Sequence, residues 1–454
     1  MSKVRVVLVH EGTYAYRTGA LGTWCHRLVQ GLPEHRFHMV TLTDSATERL
    51  YRPPVGGPET TTIRLDGPPV VSGQTPPRPR RRRPARDDQA AQQHIRIATH
   101  AAVLLCRAIV DETPYAAEMF GSALRQLAAT AADGTYPLQG VPLGAVLLDA
   151  WKAGGWRAGG LLPGGHGGGS QLPRATVAAA TETARLLEMA VRPLAAVPAG
   201  TPPVEADLYH TVDSGLSTLV GLGAKWRDGV PYVLSEHQPY LRAPLLARTA
   251  DPAVRALLMR FLHALTRLAY QEAAAVVPPS ERMRGWALHH GADRKRVTVI
   301  PPGVDPQAHP PVRGEPEEPV VAWVGPEQER DLVLAAFALI RDAVPEARLV
   351  IVGADVPGGA PPGVSVTGQV AGRRPVYAMA QVVLVSGNDA AMPYPLIEAM
   401  MCGRPTVCTE SGGLAATVGI GASVVPGDDP TRLAEACLAL LHDSRLRREL
   451  ANSA

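Results

Sequence analysis

A histidine that closes an apolar run, an arginine at a helix start and a carboxylate inside a helix are the residues of this sequence with most chemistry to offer. Glu236 and His237 follow the apolar run Val230–Ser235. An imidazole there can hydrogen-bond a hydroxyl and help bear positive charge that develops nearby. Arg330 precedes the expected helix Asp331–Asp342, where a guanidinium can meet an anion. Glu398 lies in the expected helix Pro395–Cys402, and a carboxylate can accept two hydrogen bonds from a vicinal diol. Gly19 falls in the loop after the first apolar run, where a missing Cβ lets the backbone approach a ligand. Each has a plainer reading that stays open: a turn glycine, a loop histidine, an exposed helix start, a solvated helix-face glutamate.

Several chemistries are absent from the pattern. The sequence has no Walker motif, no HExxH and no GxSxG. His289–His290 lacks partners at metal-ligand spacing, and Asp428–Asp429 before Pro430 reads as a helix cap. No metal and no cofactor are expected. The net charge of +3 is too small to imply a nucleic-acid partner. Its basic excess is concentrated in Arg78, Arg80, Arg81, Arg82, Arg83 and Arg86, inside a Pro-rich stretch. That run reads as a solvated loop or as a peripheral contact to anionic lipid or polymer. Five scattered cysteines without a CxxC pair fit a reducing cytoplasm. No signal peptide and no membrane span are expected.

The elements that must position these residues follow an α/β alternation. Val4–Val9, Phe37–Leu42, Asp207–Val212, Val230–Ser235, Ala274–Val277 and Val297–Ile300 are expected strands. Thr23–Leu32, Ser214–Lys225, Val254–Ala273 and Ser280–His289 are the helices between them, with Ser280 as a cap. Residues 45–205 form an expected insert: mostly loop over Arg52–Arg86, helix over Ile95–Ala131, a flexible segment over Trp151–Arg174 and helix over Ala175–Ala190. Pro301–Arg313 reads as a linker. A second unit begins at Val320–Val324 and continues through Ala347–Val352, Ser365–Thr367, Val382–Val385, Thr406–Thr409 and the helix Pro430–Leu441. With 454 residues and 46% hydrophobic composition, there is enough chain for two such units and the insert.

Four segments, in this order and spacing, resemble one family. They are EGTYAYRTGALGTW (11–24), ADLYHTVDSGLSTLV with PYVLSEHQPYLR (206–220 and 231–242), VIPPGVD (299–305) and GNDAAMPYPLIEAMMCGRP (387–405). Together they resemble the retaining GT-B glycosyltransferases of the glycogen-synthase and sucrose-synthase superfamily, and in particular the PelF-like, Pel-exopolysaccharide branch.

The resemblance implies two Rossmann-like, doubly wound domains facing a cleft: 1–305 on the acceptor side, with the insert, and 306–454 for the nucleotide sugar. It also implies a final helix crossing back to the first domain, which the short stretch after Leu441 is expected to omit. The implied activity is transfer of a hexose from a nucleotide-diphosphate sugar, UDP-linked, to a saccharide or other hydroxyl acceptor, in the cytoplasm and in polysaccharide biosynthesis. The alternative it leaves is a degenerate transferase fold that binds nucleotide sugar or acts as a scaffold in a polysaccharide-synthesis complex.

The implied site residues are His237, Glu236 and Arg330 for catalysis. Gly19, Gly325, Gly368, Gln369, Val370, Asp389, Pro393, Tyr394, Pro395 and Glu398 are implied for the donor, Glu398 at the ribose. Two positions depart from the family pattern: Pro326 stands where an arginine is usual, and Ala390 where a glutamate is.

Overall fold

The structure, a computed structural model, describes residues 3–11, 20–43, 59–65, 84–111, 113, 115–131, 136–155, 172–195, 205–237, 245–353, 356, 358–368, 372–387, 393–410, 414–415 and 421–453. Gly19, Gln369, Val370, Asp389 and the arginines from 78 to 83 lie outside these residues. The chain divides into two compact units, Met1–Ile300 and Pro301–Ala454.

Short β-branched runs build the sheet of the first unit. Its strands are β1 (Arg5–Glu11), β2 (Arg36–Thr43), β3 (Glu59–Arg64), β4 (Leu208–Val212), β5 (Tyr232–Ser235) and β6 (Ala275–Val277). All pair in parallel, in the order β3-β2-β1-β4-β5-β6. β1 is buried along its centre, as a parallel strand covered on both faces must be. The order reverses between β1 and β4, so the chain leaves these two neighbours in opposite directions and their carboxyl ends open a crevice.

The helices of this unit are α1 (Ala20–Gly31), α2 (Pro84–Val110), α3 (Ala116–Thr130), α4 (Leu143–Gly155), α5 (Val177–Val191), α6 (Ser217–Asp228), α7 (Pro252–Glu272) and α8 (Glu281–His289). Ser280 caps α8 by accepting from the Met283 N–H at 3.2 Å, as the sequence implies. α6 lies so close to the sheet that a Cβ on Gly221 would stand 2.9 Å from the Thr211 methyl.

The second unit repeats the plan with β7 (Val320–Val324), β8 (Arg348–Val352), β9 (Val364–Val366), β10 (Val382–Val385), β11 (Thr406–Thr409) and β12 (Ala422–Val425). Its parallel order is β12-β11-β10-β7-β8-β9, with the reversal between β7 and β10. Around it lie α9 (Arg330–Ala343), α10 (Arg374–Met379), α11 (Tyr394–Met401) and the helices Pro430–His442 and Ser444–Ser453. Asp429 caps the first of these last two through the Thr431 and Arg432 N–H groups.

Several expectations need correction. The stretch 52–86 is not all loop, because ETTTIR adds β3 to the sheet edge through four β-branched residues. The expected helix Ile95–Ala131 is two helices, α2 ending at Val110 and α3 starting at Ala116, with α2 beginning eleven residues earlier than expected. The expected flexible segment from Trp151 begins inside α4, where Trp151 is buried. Val297–Ile300 forms one bridge, Val297 to Val276; the Ile300 N–H still meets the Pro278 carbonyl at 3.0 Å, but Pro278 has no N–H to return the bond and extend the ladder. β12 and α10 were not expected.

The inserted helices share the core of the first unit. Phe120 of α3 meets Phe261 of α7 edge to face, with ring centroids 5.6 Å apart and both side chains buried. Glu272 at the end of α7 takes Arg125 of α3 and Lys225 of α6, each at 2.6 Å. Phe120→Ala is therefore expected to cost about 3–5 kcal/mol in the unfolding of the first unit, measured by urea denaturation. A loss below about 1 kcal/mol would contradict this shared core.

Candidate functional site

Both switch points carry the chemistry-bearing side chains, and each is built differently. At the first, β1 ends in Glu11, whose Oε1 accepts the Ser217 N–H at 3.0 Å as α6 begins. A carboxylate of the chain itself thus sits at this helix start, the position that would otherwise attract a phosphate.

β4 is followed directly by Asp213, which holds φ at 61°, a left-handed conformation that aspartate tolerates better than most residues. The turn lets the Asp213 Oδ1 accept the backbone N–H of His237 at 2.8 Å. Two strand ends are thereby tied together, and the imidazole is set beside Trp24 of α1, with ring centroids 4.5 Å apart.

Neither ring nitrogen of His237 has a hydrogen-bond partner among the described residues. Burial, with His210 adding to it, lowers the His237 pKa to about 3, so the ring is neutral at pH 7. His210 is lowered to about 4 by burial, and its Nε2 lies 2.8 Å from Ser235 Oγ.

Glu236 is 0% exposed and accepts the Tyr270 hydroxyl at 2.7 Å. Burial raises its pKa, the nearby Asp213 charge raises it further, and the result is about 8 despite the opposing hydrogen bonds. The carboxyl carries its proton in neutral solution. Sequence reasoning named Glu236 and His237 but passed over Asp213, Tyr270 and Trp24. The Asp-Ser-Gly turn after β4 was the available signal for Asp213.

In the second unit, Gly325 follows β7 directly. A Cβ there would lie 2.5 Å from Ser386 Oγ and 2.6 Å from Trp323 Nε1, so no other residue fits without a shift. Those two atoms are themselves bonded, Trp323 donating to Ser386 at 2.8 Å, which fastens the end of β7 to the segment after β10. Gly368 has φ at 63° and accepts the Gly353 N–H at 2.9 Å, joining the ends of β8 and β9.

Pro393 precedes α11 as its N-cap residue, Tyr394 is buried, and the Pro395 carbonyl accepts the Tyr377 hydroxyl at 3.2 Å. Arg330 opens α9. Its Nη1 lies 3.3 Å from Glu327 and its Nε 3.2 Å from Asp331, so part of its charge is already met.

Glu398 is 3% exposed. Its Oε2 accepts Arg373 Nε at 2.8 Å, its Oε1 accepts Arg373 Nη2 at 3.0 Å, and Tyr377 Oη adds a bond of 3.4 Å. His309 Nε2 lies 3.8 Å from the same Oε2. The plainer reading of a solvated helix-face carboxylate does not hold, because Glu398 is the buried half of a bidentate ion pair. Arg373, Tyr377 and His309 were not singled out from the sequence. Only the paired arginines at 373–374 offered a local signal.

Among the described residues, no group of histidine, cysteine and carboxylates could hold a metal ion. None of the helices is long and apolar enough to cross a membrane, again among the described residues. The five cysteines are unpaired and buried.

Comparison with known proteins places this geometry in context. Residues 318–443 match the family description "Glycosyl transferases group 1", residues 172–308 match "Glycosyltransferase Family 4", and residues 4–133 match a domain of unknown function. Similar curated proteins are the D-inositol 3-phosphate glycosyltransferases of Segniliparus rotundus (34% identical, covering 29% of this chain and 35% of that one) and Nocardia farcinica (32%, covering 38% and 46%). A third, from Thermomonospora curvata, is 30% identical over 54% of this chain and 66% of its own length. The chain thus spans about a third to two thirds of the length of these relatives.

Among solved structures, sucrose-phosphate synthase from Thermosynechococcus elongatus aligns with a TM-score of 0.53 at 16% identity, over 99% of this chain and 93% of that one. Anabaena HepE in complex with UDP and glucose aligns with a TM-score of 0.54 at 13% identity, with the same coverage. The fold is that of the GT-B glycosyltransferases.

Two measurements probe the local geometry. The folded Glu236 pKa lies above its unfolded value near 4.5, so its contribution to stability is complete below that value and is lost as pH rises through about 8. Glu236→Gln keeps the neutral shape and has no proton to lose. Its thermal midpoint relative to wild type is expected to climb between pH 5 and 8.5, and a flat difference would refute the buried, protonated carboxyl. Gly325→Ala is expected to destabilise the second unit by about 1–3 kcal/mol through overpacking, read by the same thermal scans at pH 7.

Proposed function

We propose that this chain, with its GT-B glycosyltransferase fold, transfers a hexosyl group from a nucleotide-diphosphate sugar, UDP-linked, to a hydroxyl of a saccharide or related acceptor with retention of configuration. The observation that carries the reading is the contrast between the two switch points. The second offers a Cβ-free turn at Gly325 and, at the start of the helix that follows, the Arg330 guanidinium, suited to a diphosphate. The first offers a neutral imidazole and a protonated carboxyl beside an aromatic ring, suited to sugar hydroxyls. The UDP and glucose bound by Anabaena HepE support the donor class. The PelF-like branch rests on segments 11–24 and 231–242 alone, and the curated relatives carry a different activity in their names.

In this reading the bond between the sugar's anomeric carbon and the diphosphate oxygen breaks, and the acceptor oxygen bonds to the same face of that carbon. The acceptor proton passes to the departing phosphate oxygen. Arg330 and the backbone around Gly325, Gly368 and Pro393–Pro395 hold the diphosphate and nucleoside. His237 hydrogen-bonds a sugar hydroxyl and, being neutral, adds no charge against the oxocarbenium-like state. Glu236 orients His237 or meets the acceptor. The unpaired buried cysteines support a reducing, cytoplasmic setting.

A second reading, a transferase fold that binds nucleotide sugar without transfer, is favoured by the carboxylates that occupy Arg330. Titration calorimetry with UDP and UDP-glucose, followed by a donor-consumption assay, separates the two. The expected outcome is UDP binding that Arg330→Ala weakens about tenfold, near 1.4 kcal/mol. His237→Ala is expected to lower kcat and leave UDP affinity intact. Absence of UDP binding at millimolar concentration defeats the donor reading, and binding without donor consumption selects the second.

A further inference from the structure

The Arg373–Glu398 pair divides its labour unevenly. Glu398 is sealed at 3% exposure, whereas the Arg373 side chain is 28% exposed. Two guanidinium nitrogens, Nε and Nη2, are committed to the two carboxylate oxygens. A guanidinium has five N–H groups; two meet Glu398 and the Tyr377 side chain engages the same group, which leaves N–H groups for another acceptor. The fork–fork geometry also fixes the plane of the group, which lowers the ordering needed on binding.

Placement agrees with this division. Arg373 is the N-cap residue of α10, which follows β9, and Glu398 lies just over one turn into α11, which follows β10. Both helices start at the carboxyl rim of the second sheet, the rim that also carries Gly325 and Arg330. Two carboxylates, Glu327 and Asp331, pair with Arg330, so a multiply charged ligand there gains from a second fixed cation.

We propose that Arg373 contacts a phosphate of the bound nucleoside diphosphate, and that Glu398 is a positioning residue that holds the guanidinium rather than the group that grips the ribose. This rests on the nucleotide-sugar reading above and changes the role expected for Glu398. Tyr377, bonded to the same carboxylate, and His309 behind it complete the support.

The test is calorimetry on the full chain with uridine, UMP and UDP as ligands. In the wild type, affinity is expected to rise from uridine to UDP. Arg373→Gln is expected to lower UDP affinity at least tenfold while uridine affinity stays within twofold. Removing one half of a buried pair can unfold the unit, so the double variant Arg373→Gln with Glu398→Gln, which retains a neutral hydrogen-bonded pair, is measured beside it with the same expected loss.

Glu398→Gln alone is expected to weaken UDP more than uridine. Equal weakening of both would show the carboxylate itself on the ribose and overturn the proposal. An unchanged UDP-to-uridine ratio in Arg373→Gln and in the double variant also overturns it, with the donor reading left standing. A wild type that binds none of the three ligands overturns both.

Discussion

A carboxylate taken out of water needs a cation or a proton to go with it, and each half of this chain is arranged around one answer to that demand. In the second unit Glu398 is buried with a guanidinium, and three elements converge to make that tolerable: α10 brings Arg373 and Tyr377, α11 brings the acid, and the segment before β7 brings His309. In the first unit Glu236 is buried with a proton and a tyrosine hydroxyl, and Asp213 beside it is spent on a backbone N–H. The paired acid sets a fixed cation at a rim. The protonated acid adds no charge of its own to its surroundings.

In the proposed function, that difference would serve two kinds of ligand. A leaving diphosphate gathers charge, and fixed donors stabilise it without rearrangement at the moment of reaction. A sugar ring that becomes electron-poor is better served by neutral hydrogen-bonding groups, and both histidines near Trp24 are held neutral by burial. The sheets carry no such distinction, since both share one strand order and one position of reversal. The division therefore lies in the side chains at the two rims.

How much of this was legible in the sequence depends on range. Continuous apolar runs such as Val320–Val324 and Val382–Val385 announce buried parallel strands, because every side chain there must avoid water. Ser280 and Asp429 are legible as caps because the partner N–H groups are two or three residues away. The strand β3 was hidden because its threonines and charged ends resemble a loop, and only pairing with β2 organises them. At the site, residue types and order pointed to His237, Arg330 and Glu398. The burial of Glu398 and its pairing with an arginine 25 positions away were not legible. No periodicity relates residue 373 to residue 398. Their meeting is decided by how α10 and α11 pack.

The aromatic contact between α3 and α7 also limits how this chain can be cut. Residues 84–195 look like an insertion along the sequence, and in a linear comparison they invite removal to obtain a minimal first unit. Their helices nevertheless cover apolar faces of α6 and α7, whose inner residues belong to the same buried cluster as Phe120, Leu124 and Leu187. A chain joined directly from 65 to 205 would keep all six strands and yet expose that cluster to solvent. A shortened first unit therefore has to keep these helices, because the cluster they cover belongs to α6 and α7 as much as to them.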